Sequence, residues 1–167
     1  ASGAAQVDLA FASELDTALT LGSWSLTRTG SIYQAKANGQ DFAFALALQE
    51  TQALLLQGKQ GLSRKGPQAE QASFYYSLPQ LRVTGQLEVA GKSLSVQGLA
   101  WLDHEWSQSV MHPQAVGWDW IGMNFADGSA LTAFRLRTQT GDALWAGGSF
   151  RPAGQVTPEV FDPQDVV

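Results

Sequence analysis

An antiparallel all-β fold, sandwich or barrel, is what this sequence predicts. Short segments alternate bulky apolar with polar or small residues at period two, and Gly, Asp and Pro turn signals recur between them. No stretch carries the 3.6-residue period of a long amphipathic helix. Glycines inside the strand-like runs favour strong curvature, and so a barrel over a sandwich. With 167 residues, 44% hydrophobic and 15% charged, the chain can bury one real core. We expect one barrel domain over residues 1–155 and a Pro-rich, acidic tail or linker over 156–167.

Taken in order, the small residues Ala1-Ser2-Gly3-Ala4-Ala5 fit either the stub left by a removed signal peptide or the edge of a truncated chain. Phe42, Phe44, Leu46 and Leu48 alternate with alanines, which predicts a strand. Gly61-Leu62-Ser63-Arg64-Lys65-Gly66 matches a nucleophile elbow only loosely, since its second glycine comes one residue late and no helix follows. Ser63 therefore reads as a loop serine, and Arg64 and Lys65 as a solvated turn. In Ser73-Phe74-Tyr75-Tyr76-Ser77, Phe74 and Tyr76 share one face and Tyr75 takes the other, so at least one aromatic lines the interior.

Leu81, Val83, Leu87 and Val89 alternate with Arg82, Thr84, Gln86 and Glu88, with Gly85 on the apolar face where a curved strand would bend. Ala90-Gly91-Lys92 turns this strand into Ser93-Leu94-Ser95-Val96, which runs on into Gly98-Leu99-Ala100-Trp101-Leu102-Asp103-His104-Glu105-Trp106. Alternation groups Leu102, His104 and Trp106 on one face and Trp101, Asp103 and Glu105 on the other. His104 on the apolar face is either a pocket group or a satisfied core histidine.

Asp127-Gly128 predicts a two-residue hairpin turn. That register sets Ile121 opposite Phe134, Met123 opposite Thr132, Trp120 opposite Arg135 and Trp118 opposite Arg137. One face is then apolar, and the other is an indole–guanidinium ladder worth about 0.5–2 kcal/mol per pair. Thr140-Gly141-Asp142 marks the next turn, Leu144 to Phe150 a further strand, and Pro152, Pro158 and Pro163 the end of regular structure.

A net charge of -5 with basic residues clustered only at Lys59, Arg64 and Lys65 argues against a nucleic-acid partner. No apolar run reaches membrane-spanning length, and the absence of cysteine removes disulfides, thiolate nucleophiles and zinc–thiolate sites. His104 and His112 are the only histidines, too few at this spacing to predict a metal, and no cofactor is expected. Asp103, His104, Glu105 and Asp119 are the candidates for proton transfer, since a carboxyl desolvated among indoles can act as a general acid. In the competing reading, Asp103 and Glu105 face solvent or bond to a neighbouring strand or domain.

Leu56-Gln57-Gly58, Gly61–Gly66, Ala72–Ser77, Gly98–Trp106 and Gly117-Trp118-Asp119-Trp120 together resemble, in order and spacing, the AttH-like, carotenoid 1,2-hydratase (hydroxyneurosporene synthase) family. The resemblance covers residues 54 to 150. It implies a lipocalin-like antiparallel barrel, complete or incomplete, usually one of two in the full protein, so the chain reads as an excerpt whose second barrel domain would follow Val167. Some family members add water to a double bond of an acyclic carotenoid without a cofactor, and others are described as secreted hydrolases associated with an ABC transporter. The resemblance thus implies a hydrophobic small molecule as ligand, a periplasmic or secreted location, and hydratase or hydrolase chemistry. In that chemistry Asp103 or Glu105 supplies or orients the proton and His104 relays it. Tyr75, Tyr76, Trp101, Trp106, Trp118, Asp119 and Trp120 would contact the substrate. A carrier without chemistry, or a domain-docking module, are the alternatives.

Overall fold

The computed structural model describes residues 9–108 and 112–166, so the Ala1–Ala5 reading and Val167 lie outside the described residues. The chain divides into two compact units. The first comprises the described residues within Ala1–Thr51 and Leu81–Ala100, the second those within Gln52–Gln80 and Trp101–Val167.

The first unit is a meander. Strands β1 (Ala10–Ala12), β2 (Ala18–Leu21), β3 (Trp24–Thr29), β4 (Ile32–Asn38) and β5 (Phe42–Gln49) pair antiparallel in chain order. After β6 (Leu55–Leu56) and β7 (Leu62–Arg64), the long strands β8 (Ala72–Val89) and β9 (Lys92–Trp106) follow, each running through both residue ranges. In the first unit β5 pairs the distal half of β8, from Phe42↔Val89 to Gln49↔Arg82. Ala90 and Gly91, at φ +49° and +75°, make the two-residue turn into β9. Gly85 faces Leu46 across that pairing, and a Cβ there would collide with the Ala45 carbonyl oxygen, so the glycine permits close approach of the two backbones.

In the second unit β6 and β7 pair the proximal half of β8, with Leu55↔Ser77 and Ser63↔Ser73. Strands β10 (Gly117–Asn124), β11 (Ala130–Arg137), β12 (Ala143–Arg151) and β13 (Glu159–Phe161) form a four-stranded antiparallel sheet in chain order. Leu55, Tyr75, Leu78, Phe134 and Leu136 are its buried apolar centre, and each such side chain contributes roughly 1.5–3 kcal/mol through removal from water. The architecture is all-β and antiparallel as expected, but the pairings of the described residues do not close into a barrel.

Three local expectations are corrected. The β10–β11 turn holds three residues, not two: Phe125 N–H donates to Ser129 O, Gly128 N–H donates to Phe125 O, and Gly128 sits at φ +93°. This is a tight turn closed by a left-handed glycine, and it shifts the register by one residue. Trp120 lies opposite Phe134 and Trp118 opposite Leu136, while Asp119 lies opposite Arg135, so the indole–guanidinium ladder does not form. Ser63 and Arg64 belong to strand β7, and Lys65 is buried, not a solvated turn. Within the expected tail, β13 pairs β12 and Pro163–Asp165 forms a 3-10 turn whose Asp162 and Asp165 cap one another.

Candidate functional site

Alternation builds a polar floor in the second unit. Ser63 and Lys65 are buried while Leu62 is exposed, and β8 repeats the pattern with Ser73, Tyr75 and Ser77 inside and Phe74 outside. Asp103 and Glu105 of β9 meet this face. Ser77 Oγ and Trp101 Nε1 donate to Asp103 Oδ1 at 2.6 and 2.8 Å, and Ser73 Oγ donates to Glu105 Oε1 at 2.5 Å. Lys65 Nζ stands 2.9 Å from the same Glu105 oxygen. It also lies 3.9 Å from the centre of the Phe134 ring and 5.0 Å from that of Tyr75.

Burial pushes the Lys65 ammonium below its ordinary range, against the opposing pull of the Glu105 and Asp103 charges. Burial, with the Asp103 charge, pushes the Tyr75 phenol well above the usual tyrosine range. Trp120 Nε1 donates to the Tyr75 hydroxyl at 3.0 Å. Beneath the floor Gln57 Nε2 donates to Ser77 Oγ and Thr132 Oγ1, both at 3.0 Å, and Gln57 Oε1 accepts from Ser149 Oγ at 2.7 Å. Each of these buried polar groups is therefore satisfied, which holds Ser77, and through it Asp103, in place.

Above the floor is a cleft of about 440 Å³. Lys65, Ser73, Tyr75, Glu105, Trp106 and Ser107 line it from β7–β9 and the residues next to them, and Trp118, Trp120, Phe134 and Leu136 from β10 and β11. The corrected register is what makes that wall apolar.

Of the residues picked from sequence, Tyr75, Glu105, Trp106, Trp118 and Trp120 come together at this cleft, while Asp103 and Trp101 bond to each other beside it. Trp101 also packs edge-on against Trp120. His104 is not brought to the acids. Its Nδ1 is 3.0 Å from the Tyr76 hydroxyl, and its ring packs on Tyr76 and Trp106. Asp119 is exposed and receives Arg135 Nη2 at 2.9 Å, with Arg137 Nε 3.0 Å away but off hydrogen-bond geometry. Lys65, Ser73 and the Gln57 network were missed as site residues. Their signal was present as polar residues at every second position, with Ser63, Lys65, Ser73 and Ser77 facing the interior and Asp103 and Glu105 meeting them from β9. Among the described residues no group of three His, Cys, Asp or Glu could hold a metal ion.

The AttH-like family model matches residues 2–167. Among solved structures, an AttH-type protein of Nitrosomonas europaea is similar with a TM-score of 0.85 and 42% identity over 89% of this chain and 46% of that one. Kievitone hydratase of Nectria haematococca is similar with a TM-score of 0.68 and 18% identity over 86% of this chain and 45% of that one, a likeness of fold alone. The chain thus spans about half the length of these relatives. No curated protein matches it.

Proposed function

Because this chain belongs to the AttH-like family, we propose that its second unit binds a hydrophobic small molecule in the 440 Å³ cleft and adds water to it, or removes water from it, at the Lys65–Glu105 floor. The observation that carries the reading is the cleft itself: an apolar wall of Trp118, Trp120, Phe134 and Leu136 facing the buried Lys65 and its ion-pair partner Glu105. Ligand sites of this size are mostly apolar with a few placed polar groups.

The Glu105 carboxylate can accept a proton and the Lys65 ammonium beside it can donate one. In hydration of a polarised double bond, the oxygen of water bonds to the electron-poor carbon and its proton passes to Glu105. The electron pair displaced toward the far end is met by the Lys65 ammonium, which delivers a proton there and recovers one from Glu105 across their 2.9 Å contact. The net change is one water added. Asp103 positions Ser77 and Trp101 and touches no reacting atom. His104 plays no part in this scheme, because it bonds to Tyr76 and does not line the cleft.

The test is tryptophan emission of the chain titrated with acyclic isoprenoids, retinoids and fatty acids, followed by product mass. We expect saturable quenching, lost in Trp120→Ala, and a product heavier or lighter by one water that disappears in Glu105→Gln. Saturable quenching without product would leave a carrier. No quenching by any ligand would overturn the reading in favour of a docking module.

A further inference from the structure

We propose that the cleft selects an uncharged, oxygen-bearing headgroup, a hydroxyl or carbonyl, and rejects both carboxylates and amines. The proposal rests on the reading of the cleft as a ligand site, and it names the ligand class: apolar alcohols, aldehydes and ketones, not fatty acids.

Charge and hydrogen-bond accounting at the floor carry it. The two charged side chains lining the cleft, Lys65 and Glu105, neutralise one another at 2.9 Å. Asp103, two residues before Glu105 on the same strand face, adds a further carboxylate whose field reaches both Lys65 and Tyr75. The floor therefore sums to one negative charge, and an anionic headgroup would be desolvated among indoles against it.

A cationic headgroup fares no better. The aromatic faces that would attract it, Phe134 and Tyr75, already carry the Lys65 ammonium at 3.9 and 5.0 Å. A neutral oxygen meets neither obstacle. Among the described residues both partners of the Glu105 carboxylate, Ser73 Oγ and Lys65 Nζ, fall on Oε1, which leaves Oε2 to accept a hydroxyl proton. An ammonium has three N–H donors, and one directed at Glu105 leaves others for a ligand oxygen.

The experiment titrates the chain with farnesol, farnesoic acid and farnesylamine at pH 7, read by tryptophan quenching. The apolar body is constant and only the headgroup varies. Farnesol is expected to bind at least ten-fold more tightly than either charged analogue. Glu105→Gln is expected to narrow the gap between acid and alcohol by about ten-fold, because the floor loses its surplus negative charge and frees Lys65. Near-ultraviolet circular dichroism verifies that the variant is folded. Acid binding equal to or tighter than alcohol in the unmodified chain would overturn the headgroup rule while leaving the ligand site standing. No quenching by any of the three would overturn the ligand site and this proposal with it.

Discussion

The first unit buries Tyr33, Leu81 and Val83, and among the described residues none of its polar side chains is buried, whereas the second buries Gln57, Ser63, Lys65, Gln71, Ser73, Ser77, Gln80, Thr132, Ser149 and Arg151 among its apolar centre. Both are antiparallel sheets built from the same alternation. The first buries few side chains of any kind, and Phe11, Leu19, Ile32, Phe42, Leu94 and Leu99 stand exposed on it. In the second, Leu56, Leu62, Phe74 and Trp106 are exposed while serines, a lysine and a glutamine point inward. Burying polar groups costs about 1–3 kcal/mol each unless they are bonded, so a unit that carries so many is organised around their mutual hydrogen bonds, and the candidate site lies there.

The largest break in this contrast should come from Gln57→Leu. Three hydroxyls, on Ser77, Thr132 and Ser149, lose their common partner, and we expect a loss of about 3 kcal/mol in urea denaturation. Gln86→Ala in the first unit removes one exposed bond to Ser95 and should stay within about 0.5 kcal/mol. Equal effects would erase the distinction.

The first unit is sensitive instead where backbones approach. Gly85→Ala sets a methyl against the Ala45 carbonyl and should cost about 2 kcal/mol by the same measurement. A neutral outcome would mean that the β5–β8 spacing relaxes freely.

A smaller effect sharpens the comparison by pH. Tyr75 has its phenol pushed up by burial, so above the ordinary tyrosine value of 10.0 the unfolded chain has lost that proton and the native chain has kept it. The unfolded state then binds fewer protons, so stability falls as pH rises past that point. Tyr75→Phe should flatten this alkaline decline, and an unchanged slope would mean that Tyr75 ionises freely in the native chain. The smallest effect belongs to Asp119→Asn. Its arginine contacts are solvent-exposed, so at most about 1 kcal/mol should be lost, and less at high salt.

Much of the strand content was legible in the sequence. The Phe42–Leu48 run, the Leu81–Val89 alternation and the Ala90-Gly91 turn each state their structure locally, because a half-buried strand must alternate and a tight turn needs positive φ. The parity of Asp103, His104 and Glu105 was legible too. Which parity faces inward was not, since period two fixes that neighbours differ but not which side is wet. Lys65 was hidden for the same reason: a lysine beside an arginine and a glycine reads as solvated until Glu105, 40 positions on, is seen 2.9 Å away. The Trp118–Trp120 pairing failed on one residue of turn length, which Asp127-Gly128 alone does not specify.

That turn has an evolutionary corollary. Ala126-Asp127-Gly128 spans three positions between Phe125 and Ser129, so the loop can lose one residue and still join the same pair, with Phe134 and Leu136 kept opposite the two indoles. A single-codon deletion inside β11, between Ser129 and Phe134, would instead bring Arg135 and Arg137 opposite them and turn the greasy wall cationic. The turn is thus where a lineage carrying this scaffold can change length, and β11 is where it cannot.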